Sequence, residues 1–339
     1  MTSVATSQTI SEKGSPLMPI TDPNLLLHQE RVDKTNRNMF YAFFSAIKTS
    51  LVLFWAFTEN DVLTFVVPNA TFGILGALAS SYLADGPTPS MLDILMRVPL
   101  VVAYNWYNVF TVDVSNQRLP QAVQEDEINK PWRPIPMKMI TSEQARKVML
   151  IAVPIVLWLN DLQGVLFEGL VIHVLAWLNN DMGGGDDAVS RNAILAVAYT
   201  MFNGGSFKIA LGDSAVVNTR GQYWTYLISA VISTTIQIQD LKDQEGDRMR
   251  DRKTMPLVYG DQACRVSIAT FVLLWSGVCV LFWGPLSLSA VMPVVVGALV
   301  AWRVMFKRTP KEDCTSWKIW CFWTMTLYFL PVTASVALL

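Results

Sequence analysis

Long apolar stretches recur along this chain, separated by short polar connections, and that recurrence excludes most folds. A helix needs about 20 apolar residues to cross a bilayer core roughly 30 Å thick, and inside the core each backbone N–H and C=O must be paired within the segment. About nine stretches qualify as candidate spans, near 62–83, 91–113, 143–159, 163–178, 191–212, 221–239, 264–283, 285–303 and 317–337. The expected fold is all-α, an integral membrane bundle embedded in a lipid bilayer. Composition agrees, because 52% hydrophobic and 16% charged residues over 339 positions is more apolar than a soluble core of that length requires. A formal net charge of −1 leaves no cationic footprint for nucleic acid, so no nucleic-acid partner is expected.

Residues 1–38 are Ser/Thr-rich and then charged, without the basic start, apolar stretch and cleavage site of a secretory signal. They are expected to form a partly disordered cytosolic tail, with residues 39–339 as a single membrane-embedded domain. The stretch 39–57, interrupted by Lys48 and followed by Glu59 and Asp61, is expected to be an interfacial helix. Positive charge in short loops favours the cytosol. With nine spans, one face collects Arg31, Lys34, Arg37, Arg118, Lys130, Arg133, Lys138, the segment 240–263 and the loop from Lys307 to Lys318, whereas the opposite loops hold Arg220 as their one basic residue. The first face is therefore read as cytosolic, and two acidic segments, following the second and sixth spans, emerge there together. Cys264, Cys279, Cys314 and Cys321 form no C-x-x-C pair and have no nearby histidine; they read as reduced packing residues.

In the second acidic segment Asp240, Asp243 and Asp247 would share one face if the sixth helix continued through them, at i, i+3 and i+7. Three carboxylates on one face repel one another unless cations lie between them, and Mg²⁺ binds through one or two carboxylates together with substrate phosphate oxygens. Lys242, Arg248, Arg250, Arg252 and Lys253 stand in the same stretch and could hold a diphosphate; a solvated loop of alternating charge is the plainer alternative. The first acidic segment leaves its span with Asp113 and Asn116, presents Glu125, Asp126 and Glu127, and ends at Pro131, Pro134 and Pro136, which forbid helix continuation. It fits a second metal-binding arm, or a capped cytosolic loop.

Together these segments resemble the UbiA superfamily of intramembrane prenyltransferases over roughly residues 60–339. Asn116-Gln117, Glu125-Asp126 and Asn129-Lys130-Pro131-Trp132-Arg133-Pro134-Ile135-Pro136 are similar to the family's first motif, and Lys242-Asp243-Gln244-Glu245-Gly246-Asp247-Arg248 with Thr254-Met255-Pro256 is similar to its second. Pro120 and Gln124 stand where that first motif usually has aspartates, and Asp126 matches its last aspartate only across a two-residue insertion. The altered form resembles the fungal branch that contains UbiA-type terpene cyclases. The resemblance implies Mg²⁺ as cofactor and a prenyl diphosphate substrate, with Asp243, Asp247 and Asp126 catalytic. It implies Glu125, Asp126, Asp240, Asp243 and Asp247 around metal, and Asn116, Lys130, Arg133, Lys242 and Arg248 at the diphosphate. The expected activity is cyclisation, farnesyl diphosphate favoured, in the endoplasmic reticulum with the site facing the cytosol. The alternative is an aromatic prenyltransferase of a meroterpenoid or quinone pathway, which would need an aromatic acceptor. A transporter is a remote third reading, because no internal repeat is visible.

Polar residues inside spans are candidates for function by default. Asn105, Asn108 and Asn203 fall in this class, and Lys208 could donate to diphosphate or snorkel to an interface. His173 reads as a helix-interface residue. The Gly-rich loop 179–187 could close over the site, and Trp55, Trp106, Trp158, Trp177, Trp224, Trp275, Trp283 and Trp302 read mostly as interfacial anchors.

Overall fold

A computed structural model describes residues 23–284 and 288–336, with side chains from 39 to 284 and 290 to 334. Residues 1–22 of the expected tail lie outside the described residues. Helix α1 already starts at Pro23 and runs to Asp61. The stretch 39–57 is part of this one longer helix, and no Gly or Pro interrupts positions 24–61 to break it. The chain divides into compact units at Val52–Leu53, so the expected 38–39 boundary falls inside α1. A π-helical turn, Val62–Val66, precedes α2, Val67–Leu78; Pro68, lacking an N–H, sits at this change of register.

The remaining helices are α3 (Ser80–Leu83), α4 (Met91–Gln117), α5 (Pro120–Asn129), α6 (Ser142–Leu162), α7 (Leu166–Asn180), α8 (Ala188–Leu211) and α9 (Thr219–Thr235). They are followed by α10 (Gln244–Met249), α11 (Met255–Val258), α12 (Asp261–Trp283), α13 (Leu288–Phe306), α14 (Pro310–Tyr328) and α15 (Leu330–Val336). Local chemistry sets the starts: Ser90 with Asp93 and Thr141 with Gln144 form capping boxes on α4 and α6, while the Asp187 and Thr309 side chains cap α8 and α14. Because Thr309 and Pro310 start α14, much of the expected loop 307–318, Cys314 included, is helical. The described strands are β1 (Ala84–Asp85) and β2 (Val216–Val217), an antiparallel pair. Cys264, Cys279 and Cys321 are buried and, with Cys314, unbridged.

Each expected span overlaps a helix, but by length and composition only Met39–Leu78, Ala188–Leu211 and Asp261–Trp283 qualify to cross a membrane among the described residues. Charged residues inside others, such as Asp93, Arg97 and Asp113 of α4, lower their apolarity, so the count of nine is not established. The polarity of the bundle is nonetheless that of a membrane protein. Leu92, Leu95 and Met96 of α4, Leu150 and Ile151 of α6, and Leu273 and Leu281 of α12 face outward, while amides and hydroxyls pair inside. Asn105 Nδ2 donates to Ser206 Oγ at 2.7 Å, and the Asn108 and Asn160 amides exchange hydrogen bonds of 3.0 and 3.1 Å. These asparagines thus tie helices together, and none of them lines the cavity where the acidic segments meet. His173 does likewise, contacting Thr111 Oγ1 at 3.1 Å. Trp55, Trp158, Trp177 and Trp302 are about half exposed, as anchors should be, but Trp224 and Trp283 are buried and pack edge to face 5.3 Å apart.

Helices α2 and α8 cross with backbones nearly touching, as small residues permit in membranes. A Cβ on Gly73 would fall 2.4 Å from the Ser206 carbonyl carbon, which a backbone cannot yield without separating the helices. Gly73→Ala is expected to destabilise the fold by about 1–3 kcal/mol, read as an earlier melting transition in detergent; an unchanged transition would contradict this crossing.

Candidate active site

A cavity of about 630 Å³ opens where both acidic segments meet, within the 300–1,000 Å³ typical of small-molecule sites. Its mouth carries Asp126, Lys130, Arg191, Asp240, Asp243 and Asp247, and its inner wall carries Phe65, Val109, Leu195, Tyr199, Phe202 and Ile236. The wall is partly aromatic: the Phe65 ring lies 4.6 Å from Tyr199 and 4.7 Å from Phe202, centroid to centroid. Residues of the expected cytosolic segments, namely 114–142, 240–263 and 307–318, all reach this one cavity.

The sixth span does not continue as an α-helix through the second acidic segment. Thr234 and Thr235 turn their hydroxyls back onto the carbonyls of Ala230 and Val231, a bond that bends helices. The chain then tightens into a 3₁₀ stretch, Ile236–Leu241, before the separate α10. Asp240, Asp243 and Asp247 therefore share a cavity without sharing a helical face. Asn129 joins the two motifs: its Nδ2 donates to the Asp243 carbonyl at 3.0 Å and its Oδ1 accepts from the Gly246 N–H at 3.2 Å. A Cβ on residue 246 would lie 2.2 Å from Asn129 Nδ2, which explains glycine between Glu245 and Asp247.

Most acidic groups here already face a protein cation. Arg133 grips both oxygens of Asp126, at 2.8 and 2.9 Å, and Arg191 reaches Asp240 at 2.7 Å. Glu125 meets Arg250 at 3.0 Å and Arg252 at 3.2 Å; burial alone would raise its carboxyl, but the surrounding Arg252, Lys130 and Arg250 hold it below the usual range. Asp243 contacts Lys242 and stands 3.8 Å from Lys130. Burial would raise it as well, yet Lys130 and Lys242 outweigh that and leave it at about 2. Asp247 differs: burial pushes it up to about 6 against the pull of Arg252, and its Oδ2 is buried with no hydrogen-bond partner. At neutral pH both Asp243 and Asp247 are mainly ionised.

Of the expected diphosphate ligands, Asn116, Lys130, Arg133 and Lys242 line the cavity, and Lys242 also lies over the Trp317 ring at 4.8 Å. Lys208 does not reach it. It is 17 residues from Arg191 on α8, about 25 Å along the axis, and pairs with Glu168 at 2.5 Å beside a second cavity. Nor does Arg248, which is exposed and donates to Gln244 within α10. Two cavity cations were not singled out, Arg191 and Lys318; an arginine four residues beyond the helix-capping Asp187 was the available signal for the first. Arg252 was noted only among several basic residues, yet it bonds Glu125, Asp247 and the Gly185 carbonyl at once. With Lys253 N donating to Asp186 O at 2.7 Å, it fastens the Gly-rich loop onto the second acidic segment.

Among the described residues no three Asp, Glu, His or Cys side chains form a ready metal cluster. The site still fits Mg²⁺, because that ion needs only one or two carboxylates when phosphate oxygens and water complete its shell. Asp247, with its unpartnered oxygen, and Asp243 are the carboxylates suited to it.

The family model described as the UbiA prenyltransferase family matches residues 74–326. A diterpene cyclase from Hericium erinaceus, eriG, is 29% identical over 282 residues, covering 80% of this chain and 84% of that protein. A somaliensene A/B synthase from Streptomyces somaliensis is 28% identical over 302 residues, covering 83% and 91%. A polyprenyl transferase from Hericium erinaceus, eriF, is 25% identical over 303 residues, covering 86% and 97%. In fold, the chain is similar to a UbiA homologue from Archaeoglobus fulgidus bound to GPP and Mg²⁺, with a TM-score of 0.57 and 11% identity over 83% of this chain and 99% of the other. The motifs, the helical bundle and the match across three quarters of the sequence agree, and the chain belongs to the UbiA prenyltransferase family.

Proposed function

We propose that this enzyme is a Mg²⁺-dependent terpene cyclase that ionises a prenyl diphosphate, with farnesyl diphosphate favoured, and closes the chain to a cyclic hydrocarbon. One observation carries the reading: a single cavity joins a mouth of clustered charges to an apolar, aromatic wall, the polarity of a substrate with a diphosphate head and an isoprenoid tail. Asp243 and Asp247 would hold the metal, which supplies charge neutralisation at the departing diphosphate. Lys130, Lys242, Arg191 and Arg252 orient the head and share its charge. Arg191 and Arg252 are kept in place meanwhile by Asp240 and Glu125, whose expected role as metal ligands gives way to holding these cations. Arg133 likewise keeps Asp126 occupied.

Phe65, Tyr199 and Phe202 line the wall where a carbocation would travel, and aromatic rings attract cations. The apolar wall excludes water so that the chain's own double bond captures the cation first. Cyclases and a transferase both occur among the relatives, so transfer to an aromatic acceptor is the second reading. The clustering of basic loops around the cavity favours a cytosolic face, and the endoplasmic reticulum is the proposed membrane.

Purified enzyme given farnesyl diphosphate and Mg²⁺ alone is expected to release diphosphate and a cyclic hydrocarbon, with geranylgeranyl diphosphate the next substrate to try. No hydrocarbon from any chain length, but a prenylated phenol once an aromatic acceptor is added, would decide for transfer.

A further inference from the structure

Asp61, the last residue of α1, and Asp113, near the end of α4, bring their carboxyl groups within hydrogen-bond reach of each other and both line the cavity. Neither has a part in the metal or diphosphate roles above. Asp113 is only 7% exposed, and its Oδ2 is buried without a hydrogen-bond partner. That oxygen is an acceptor with no donor to satisfy it.

Asp61 precedes Phe65 of the wall by four residues and Asp113 follows Val109 by four, and Lys130, Arg133 and Tyr199 line the same cavity. A reacting chain that folds back from the mouth along Phe65 and Tyr199 passes this pair.

We propose that Asp61 and Asp113 form the base that ends the reaction, removing a proton from the carbon beside the last cation. The C–H bond breaks, its electron pair becomes the final C=C bond, and the proton passes to the free carboxylate oxygen. That carboxyl returns its proton to water through the mouth after product leaves. The inference rests on the ionising role proposed above, but its readout is separate: the pair governs how the cation is quenched, whereas Asp243 and Asp247 govern whether it forms.

The test compares diphosphate release and the product mixture for the full chain, Asp113→Asn, Asp61→Asn and Asp113→Glu, each with Mg²⁺ and farnesyl or geranylgeranyl diphosphate. The Asn variants are expected to release diphosphate within about fivefold of the parent, while the main hydrocarbon falls at least tenfold as a share of product, a loss at the low end of what a general base contributes. Alcohols from water capture and early-quenched alkenes replace it, and Asp113→Glu restores part of the parent mixture. An unchanged mixture in both Asn variants would overturn the proposal, as would loss of diphosphate release with a raised Mg²⁺ requirement, which would make the pair a metal ligand. If Asp113→Asn does not fold, Asp61→Asn carries the same comparison. A parent enzyme that releases no diphosphate from any chain length would overturn the ionisation reading, and this role with it.

Discussion

Asp247→Asn is expected to lower diphosphate release by at least about a hundredfold, the scale on which one preorganised group that stabilises transition-state charge contributes. The substitution keeps the shape of the side chain and removes its charge. Asp247 is 1% exposed and holds an unpartnered oxygen toward the cavity, so the loss falls on whatever that oxygen binds. Arg252 keeps Glu125 as a partner at 3.2 Å, which preserves the local fold. Asp243→Asn should behave alike, and EDTA should silence the parent enzyme until Mg²⁺ is restored. Arg248→Ala, which alters an exposed side chain outside the cavity, should leave turnover near the parent level. Diphosphate release at parent rate by folded Asp243→Asn or Asp247→Asn would remove the metal assignment.

Sequence alone expected both acidic segments at one place, where a single cavity does join them, but by a partly wrong route. Regular helical spacing of Asp240, Asp243 and Asp247 was the argument for their convergence, yet the segment is a 3₁₀ stretch, a turn and a short helix. Back-bonding by Thr234 and Thr235 is a local choice that periodicity does not carry, since the same residues occur in unbroken helices. Burial of Asp240 against Arg191 and of Asp243 beside Lys130, cations from other segments, and of Asp247 against Arg252 of its own achieves what a common face was expected to do. Arg191 illustrates the rest of the gap. It is one arginine near the start of an apolar span, and only the packing of α8 on the 3₁₀ stretch makes it the partner of Asp240. Lys208 failed for the opposite reason, because a charged residue in a span signals function without saying at which end of the helix it acts. Asp61 and Asp113 lie 52 positions apart, and no motif links them.

The largest stability loss is expected from Asp313→Ala. Arg265 of α12 donates to Asp313 of α14 through Nη1 at 2.7 Å and Nη2 at 2.8 Å, and its other bonds reach the Val304 carbonyl of α13 at 2.9 Å and Asp261 at 2.8 Å. Three helices thus meet at one guanidinium, with both partners' side chains only 2% exposed. Removing the carboxylate strands a buried positive charge that Asp261, itself partly exposed, cannot fully balance, at a cost of about 3–5 kcal/mol. Replacing both partners by leucine removes the stranded charge, and such exchanges are often neutral, so Arg265→Leu/Asp313→Leu should melt nearer the parent than Asp313→Ala does. The pair also bears on the cavity, because Trp317 lies one turn along α14 from Asp313 and Lys318 follows it, and both line the mouth. Asp313→Ala should therefore lose activity at temperatures where the fold persists, as this end of α14 loosens. Melting curves in detergent, run beside diphosphate release, separate the two effects; a parent-like transition for Asp313→Ala would mean that packing, and not this ion pair, holds the three helices together.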